Sequence, residues 1–580
     1  MQRRTFVKGM AASSLLALGS TTTLQARTRS MPISNKNKLT GKEFFLTIDY
    51  ATVNITGNTA VATTVNGQIS GPTLVWQEGD TVTLHVTNKL KKSSSIHWHG
   101  IILPYQMDGV PGITFDGIAP GETFTYRFKV RQHGTYWYHS HSGFQEQTGV
   151  YGAIVIKPKR KEPFRYDKDY VIQLSDWSDE KPTTIYKKLK QMSDYYNFSQ
   201  RTIATFIDEV KNKGLSKAFS DRKMWNDMRM NDGDISDITG YTYTHLMNGQ
   251  NPSTQFKAVF KKGQKIRLRL VNSAAMTFFD VRIPGLKMTV VAADGNHVKP
   301  VKVDELRIGV AETYDVIVQP KRNRAYAIFA QSIERSGYAM GSLTPSSTLL
   351  ATPPKMDPVP KLTMVDMGMD MGAMGKKGDS SMKCSSGMSM PSKKSMKKYK
   401  WAAMDAQKYP ITKLPMVRGV QTTMMAMSPK YRLDDPGVGL RHNGRKVLTY
   451  ADLKNRYSTR KDKKPDREIV LHLTGNMERY MWSINGIKYA DAQPLQFHYG
   501  ERLRITFIND TMMNHPMHLH GMWSDLETGD DNRLVRKHTV IVQPGSKISY
   551  RVTVDAKGSW AYHCHLLYHM SGMFRKVVVS

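Results

Sequence analysis

The chain has 580 residues, too many for one hydrophobic core, so two to four domains are expected. It holds two cysteines, Cys384 and Cys564, 180 positions apart, which excludes a disulfide framework. The formal net charge is +34, yet the lysines are widely spread and no nucleic-acid-binding motif appears, so a solvated basic surface with at most weak attraction to anionic lipid is expected, not a nucleic-acid partner.

The N-terminus reads QRRTFVKGMAASSLLALGS. Arg3-Arg4, then Phe6 and Lys8, then a short weakly apolar run, resemble a twin-arginine export signal, residues 1–26, with cleavage near Ala26. The run is too short to span a bilayer and no other stretch approaches a transmembrane segment. The expected location is the periplasm, reached by a pathway that exports proteins already folded and so suits one loaded with a cofactor.

Three segments then share one pattern. The first is VNGQISGPTLVWQEGDTVTLHVTN, the second MNGQNPSTQFKAVFKKGQKIRLRLVN, the third INGIKYADAQPLQFHYGERLRITFIND. Each opens on Asn-Gly (66–67, 248–249, 485–486) and reaches a second asparagine, Asn88, Asn272 or Asn509, nine residues after Gly79, Gly263 or Gly500. The runs ahead of those asparagines alternate apolar and polar, the pattern of a half-buried strand. IAPGETFTYRF and VQPGSKISYRV add turns that lead into further strands. The reading is all-β: three β-sandwich domains, at 40–160, 161–355 and 416–580. Residues 180–235 have helical spacing and read as an insertion in the second domain. Residues 356–415 hold a methionine-rich linker, whose stretch 356–400 lacks periodicity and is expected to bury no core.

The repeats give the histidines their meaning. Nine residues after Asn88 comes His97-Trp98-His99, and nine after Asn509 comes His518-Leu519-His520. Gly134 precedes YWYHSH, with His139 and His141, as Gly558 precedes WAYHCH, with His563 and His565. The middle repeat has no histidine at either place. In a strand, His-x-His puts both imidazoles on one face. Face-to-face packing of domains one and three would gather all eight, beside His515, His569 and Cys564. That is too many ligands for one zinc ion. Cys564, His515, His569 and Met573 fit the blue-copper set of one thiolate, two imidazoles and a distant thioether, and the eight paired histidines suit a three-copper cluster. Cys564 would then join the two sites through its bonded neighbours. His85, His133, His245, His297, His442, His472, His498 and His538 read as structural.

HWHG, YWYHSH, HPMHLHG and HCHLLYHMSGM together resemble the four copper-binding motifs of multicopper oxidases. The methionine-rich linker, the helical insertion and the wording YHCHLLYHM resemble the copper-resistance protein A family within that group. The resemblance implies three cupredoxin domains of Greek-key β-sandwich type and four catalytic coppers. It places His515, Cys564 and His569 on type 1 copper, His97 and His518 on type 2, and His99, His139, His141, His520, His563 and His565 on the type 3 pair. It also implies one-electron oxidations at type 1 and reduction of O2 to water at the cluster, with Asp108 assisting proton delivery. The spacing His569-x3-Met573 is one residue shorter than in most relatives, which leaves Met570 as a second axial candidate.

The substrate expected is Cu(I), with a small phenol or mere copper sequestration as alternatives. Met364, Met367, Met369, Met371, Met374, Met382, Met388, Met390 and Met396 crowd the linker, with Cys384 among them, and soft sulfur suits extra Cu(I). Met224, Met228 and Met230 in the insertion are either a second docking point or ordinary packing. Other periplasmic copper-handling proteins are the expected protein partners.

Overall fold

The computed structural model describes residues 38–369, 400–459 and 462–580. The export signal and the methionines from Met371 to Met396 lie outside them.

Strands build three two-sheet sandwiches. In the first, the strand Thr81–Asn88 buries every second side chain, as its alternation predicts. It lies between Glu43–Asn54 and Thr123–Lys129. The facing sheet has the order Lys38–Thr40, Gly71–Gln77, Tyr151–Lys157, Gly134–His139, His97–His99. Trp76, Trp98, Tyr126 and Phe128 fill the space between, with Trp98 edge-on to Tyr126 at 5.2 Å between ring centres. The second sandwich pairs a six-stranded sheet, with Lys168–Trp177 and Ile266–Asn272 side by side, with a five-stranded one that contains Phe279–Arg282 and Tyr326–Ser332. The third joins an eight-stranded sheet around Arg467–Asn476, Arg502–Asn509 and Ser546–Thr553 to the order Leu495–Phe497, Phe574–Val579, Gly558–Cys564, His515–Leu519, Thr539–Val542.

Both asparagines of the repeat have a physical job. Asn66, Asn248 and Asn485 adopt left-handed φ of 53°, 52° and 53°, each followed by a glycine at positive φ, the backbone of a tight hairpin turn. Asn88, Asn272 and Asn509 are fully buried, and each Nδ2 donates to two main-chain carbonyls: Lys92 and Ile118, Thr277 and Ile308, Met513 and Val542. Each therefore stitches the end of its strand to the loop that leads into the next one. In the outer sandwiches that next strand carries the histidines.

Three helices form the insertion: α1 (Pro182–Gln191), α2 (Ile203–Lys213) and α3 (Leu215–Asp227). Thr202 caps α2 through Thr205 N. The linker corrects its expectation. Leu362, Met364 and Met367 are buried and belong to the main core, because Leu362 N donates to Asp232 O and Thr363 and Asp366 close a turn that folds the methionines inward.

Candidate metal centre

His515 begins its strand, Cys564 ends the neighbouring one, and His569 sits on the turn that follows. Cys564 Sγ lies 3.5 Å from His515 Nδ1 and 3.9 Å from His569 Nδ1, and the two nitrogens are 3.4 Å apart. The outer nitrogens are held by neighbours. Thr511 Oγ1 donates to Asn509 Oδ1 and so keeps a lone pair for His515 Nε2–H, 2.7 Å away. His569 Nε2 donates to Asp237 Oδ2 at 2.7 Å. Both imidazoles thus turn Nδ1 toward the thiol, the tautomer being set by what grips the other nitrogen. Trp482 stacks on His569 with ring centres 3.8 Å apart. Burial lowers the pKa of His515, with His569 adding to it, and burial pushes the Cys564 thiol up. Met573 is fully buried, and its carbonyl accepts from Cys564 N. Met570 is partly exposed and packs on Val110, Ala561 and Phe574.

The eight paired histidines meet between the first and third sandwiches. His97 Nε2 faces His518 Nε2 at 3.4 Å, His563 Nε2 faces His520 and His141 Nε2 at 3.0 and 3.3 Å, and His565 Nε2 faces His139 Nε2 at 3.3 Å. Nδ1 points outward to fixed acceptors: Asp108 O for His97, His538 O for His518, Asp108 Oδ2 for His520, Ser140 O for His139, Cys564 O for His563. His99 is reversed. Its Nε2 contacts Thr539 Oγ1 and His538 Nδ1, and its buried Nδ1 has no partner. The His-x-His expectation needs one correction. Only His97 and His99 share a strand, whereas His141, His520 and His565 fall just past the ends of theirs, where ladder pairing stops and the chain turns.

Burial, reinforced by neighbouring imidazoles, holds His99, His139, His141, His518, His520 and His565 well below the ordinary histidine range, and His563 at about 4. All are therefore neutral imidazoles at neutral pH. A dry set of neutral imidazoles beside one thiol, with an orphaned nitrogen on His99, fits copper and does not fit hard oxygen-seeking cations. His515, Cys564 and His569 would hold one ion and the paired histidines the others. Strand alternation puts Cys564 Sγ on the face opposite His563.

Several residues escaped the sequence reading. His538, read as structural, touches His99. Glu146 Oε2 lies 2.8 Å from His139 Nδ1, although that N–H is aimed at Ser140 O; burial, then Asp176, raises its pKa well above the usual range. Asp237 is 332 positions from its histidine, so no spacing exposes it. Three residues earlier in the chain, Asp234 lines a cavity of about 340 Å3 together with Asp194, Arg229, Met230, Met477 and Met512. Asp234 is buried and its Oδ1 has no partner; burial, then Asp237 and Asp194, raises its pKa well above the ordinary value. Met230 of the insertion thus reaches a cavity, whereas Met224 and Met228 are partly buried against the core.

Family models described as multicopper oxidase match residues 47–161, 168–348 and 462–580. Copper resistance protein A of Escherichia coli is 54% identical over 608 residues, covering 100% of this chain and 99% of that protein. Multicopper oxidase MmcO of Mycobacterium tuberculosis is 31% identical, covering 91% and 85%. Among solved structures, the laccase from Botrytis aclada superposes with a TM-score of 0.61 at 22% identity, covering 93% of this chain and 88% of the other. Fet3p, titled a multicopper oxidase that functions in iron import, gives 0.64 at 20%, covering 93% and 91%.

Proposed function

The chain belongs to the multicopper oxidase family, an oxidoreductase type that uses copper, O2 and a reductant, and from that premise we propose that its reductant is Cu(I). The observation that carries this reading is the cavity of Met230, Met477, Met512 and Asp234. Thioethers are soft, uncharged ligands for Cu(I), and a buried carboxyl with one unpartnered oxygen ionises when a cation arrives. The cavity lies three residues along the chain from Asp237, whose carboxylate holds His569. Substrate bound there is one short segment away from the mononuclear site. The relatives named copper resistance protein A support copper tolerance as the setting, with the periplasm as the location and the twin-arginine pathway as the route.

Bound copper supplies one-electron oxidation at the mononuclear site and four-electron reduction of O2 at the cluster, with four ions in all. The residues supply the rest. His515, Cys564 and His569 would hold type 1 copper, and Met573, the buried one of the two methionines, would be the nearby thioether. His97 and His518, which face each other, would hold type 2, and the remaining six paired histidines would hold type 3. Asp108 holds Nδ1 of His520 through Oδ2, which leaves Oδ1 without a hydrogen-bond partner and able to carry a proton beside the cluster. The methionine-rich linker, of which Leu362 N is held by Asp232 O, would collect extra Cu(I) for this cavity. Domain boundaries near 160, 355 and 416 suit these assignments.

The test is oxygen uptake by copper-loaded protein given Cu(I) or a phenol. Met477→Leu/Met512→Leu should lower the Cu(I) rate at least tenfold and leave the phenol rate within twofold; Cys564→Ser should abolish both. Equal losses in the double variant would sink the Cu(I) reading, and uptake with phenol alone would establish a laccase-like oxidase.

A further inference from the structure

We infer that the middle sandwich carries a binding groove for a soluble, multiply charged phosphate anion, such as a short condensed phosphate. The groove lies on the outward face of the sheet that contains Met288–Ala293, Asn296–Val303 and Thr313–Val318, adjacent strands in which Thr289 pairs with Lys302 on one side and Ile317 on the other. Its volume is about 870 Å3. That lies within the range of about 300–1,000 Å3 usual for small-ligand sites.

Seven cations line it: Arg165, Lys265, Lys287, Lys302, Lys321, Arg322 and Arg324. The carboxylates nearby are engaged. Asp304 pairs with Lys287, and Asp167 accepts from the main-chain N–H of Lys265. Glu162 and Asp315 turn inward to the buried Arg267. Arg165, Lys265, Lys302, Lys321, Arg322 and Arg324 have no ion pair among the described residues.

Concentrating like charges in a concave surface is costly, because a low-dielectric wall focuses their field; the same focusing captures an anion. Arg324 is also placed. Its guanidinium lies over the Tyr326 ring at 4.7 Å, and a Cβ on Gly285, whose φ is +84°, would come within 2.5 Å of its Nη2. The glycine thus leaves room for the guanidinium against the turn. Three arginine forks match phosphate oxygens, and six unpaired cations match a ligand with three or more negative charges. A flat bilayer meets the rim and not the floor of a concavity, which favours a soluble anion.

The experiment is calorimetric titration of copper-loaded protein with inorganic tripolyphosphate, beside flotation with vesicles of anionic phospholipid. Saturable binding that weakens with salt is expected. It should fall at least tenfold in Lys321→Glu/Arg322→Glu and in Lys302→Gln, and stay within twofold in Lys91→Glu/Lys92→Glu, an exposed pair elsewhere. Unchanged oxygen uptake verifies that each variant is folded. Absence of saturable binding, or equal losses in the groove and control variants, would overturn the proposal. So would vesicle binding that depends on Lys321 and Arg322 without any binding of tripolyphosphate.

Discussion

Replacing Asp237 by asparagine removes one charge and keeps the shape. Asp237 Oδ2 accepts from His569 Nε2 at 2.7 Å and from Tyr480 Oη at 3.2 Å, and the group is buried. A hydrogen bond to a charged partner contributes about 1.5–3 kcal/mol, and a neutral one about 0.5–1.5. The substitution therefore weakens each bond by about 1–1.5 kcal/mol. The tyrosine bond is present with or without metal, so it cancels from metal affinity and enters only the stability of the fold. The histidine bond is also present without metal but cancels only in part, because a metal on Nδ1 makes Nε2–H a stronger donor, so about 1–1.5 kcal/mol is the upper bound of its effect on affinity. About 1.4 kcal/mol corresponds to tenfold. Asp237→Asn should therefore bind copper up to about tenfold more weakly at the mononuclear site, the low end of the roughly 10- to 100-fold range usual for outer partners of metal-bound histidine. A competitive chelator titration followed by thiolate-to-copper absorption measures this, and Tyr480→Phe should leave that affinity unchanged. An unaltered Asp237→Asn, or an equal drop in Tyr480→Phe, refutes the reasoning.

Two further outcomes follow from the frame. Asp315 is held below its ordinary pKa: burial pushes it up, but Arg267 and Arg269 outweigh burial. A depressed carboxylate stabilises the fold above its unfolded pKa near 4 and loses that stabilisation as pH falls through the lower folded value. Thermal stability should therefore fall with acid below about pH 4 in the native chain, and Asp315→Asn, which breaks a buried pair, should cost about 3–5 kcal/mol at neutral pH and flatten that acid limb. Asn509→Ala should lower both stability and copper affinity at His515, because Thr511 loses the acceptor that orients it, whereas Asn272→Ala should lower melting temperature similarly and leave copper content unchanged.

Periodic features were legible in the sequence. Alternation located the strands, and the offsets from Asn88 and Asn509 picked out the histidine pairs while leaving the middle repeat without them. What escaped was whatever depends on contacts between distant segments. Asp237 follows a helical insertion and meets His569 only after the sandwiches pack. His538 carries no motif, and its neighbourhood with His99 spans 439 positions. Met364 and Met367 sit in a low-complexity sequence that reads as solvated, yet a turn closed by Thr363 and Asp366 buries them. Composition describes average solvation and cannot register one turn.

The middle sandwich shows what a repeat without the paired histidines does. At its equivalent of HWH the ligand positions are Val281 and Ile283, both buried in the apolar core, and Asp280 beside them is buried against Arg307 and Arg335. Elsewhere the same sandwich reaches into both candidate sites. Asp294 Oδ2 accepts from the main-chain N–H of His538 and Thr539 and pairs with buried Lys537, which fixes the two residues whose side chains touch His99 Nε2. Ala275 O accepts from Leu567 N, pinning the turn between His565 and His569, and Asp237 holds His569 itself. Buried neutral imidazoles repel one another little and would drift to bond each other through their inner nitrogens. Outer clamps hold those nitrogens aimed and free, and clamps anchored in a third body do so without competing for the strands that carry the ligands. The lack of paired histidines in the middle repeat suits that role: a sandwich without the His-x-His pairs supplies the rigid frame for the two that carry them.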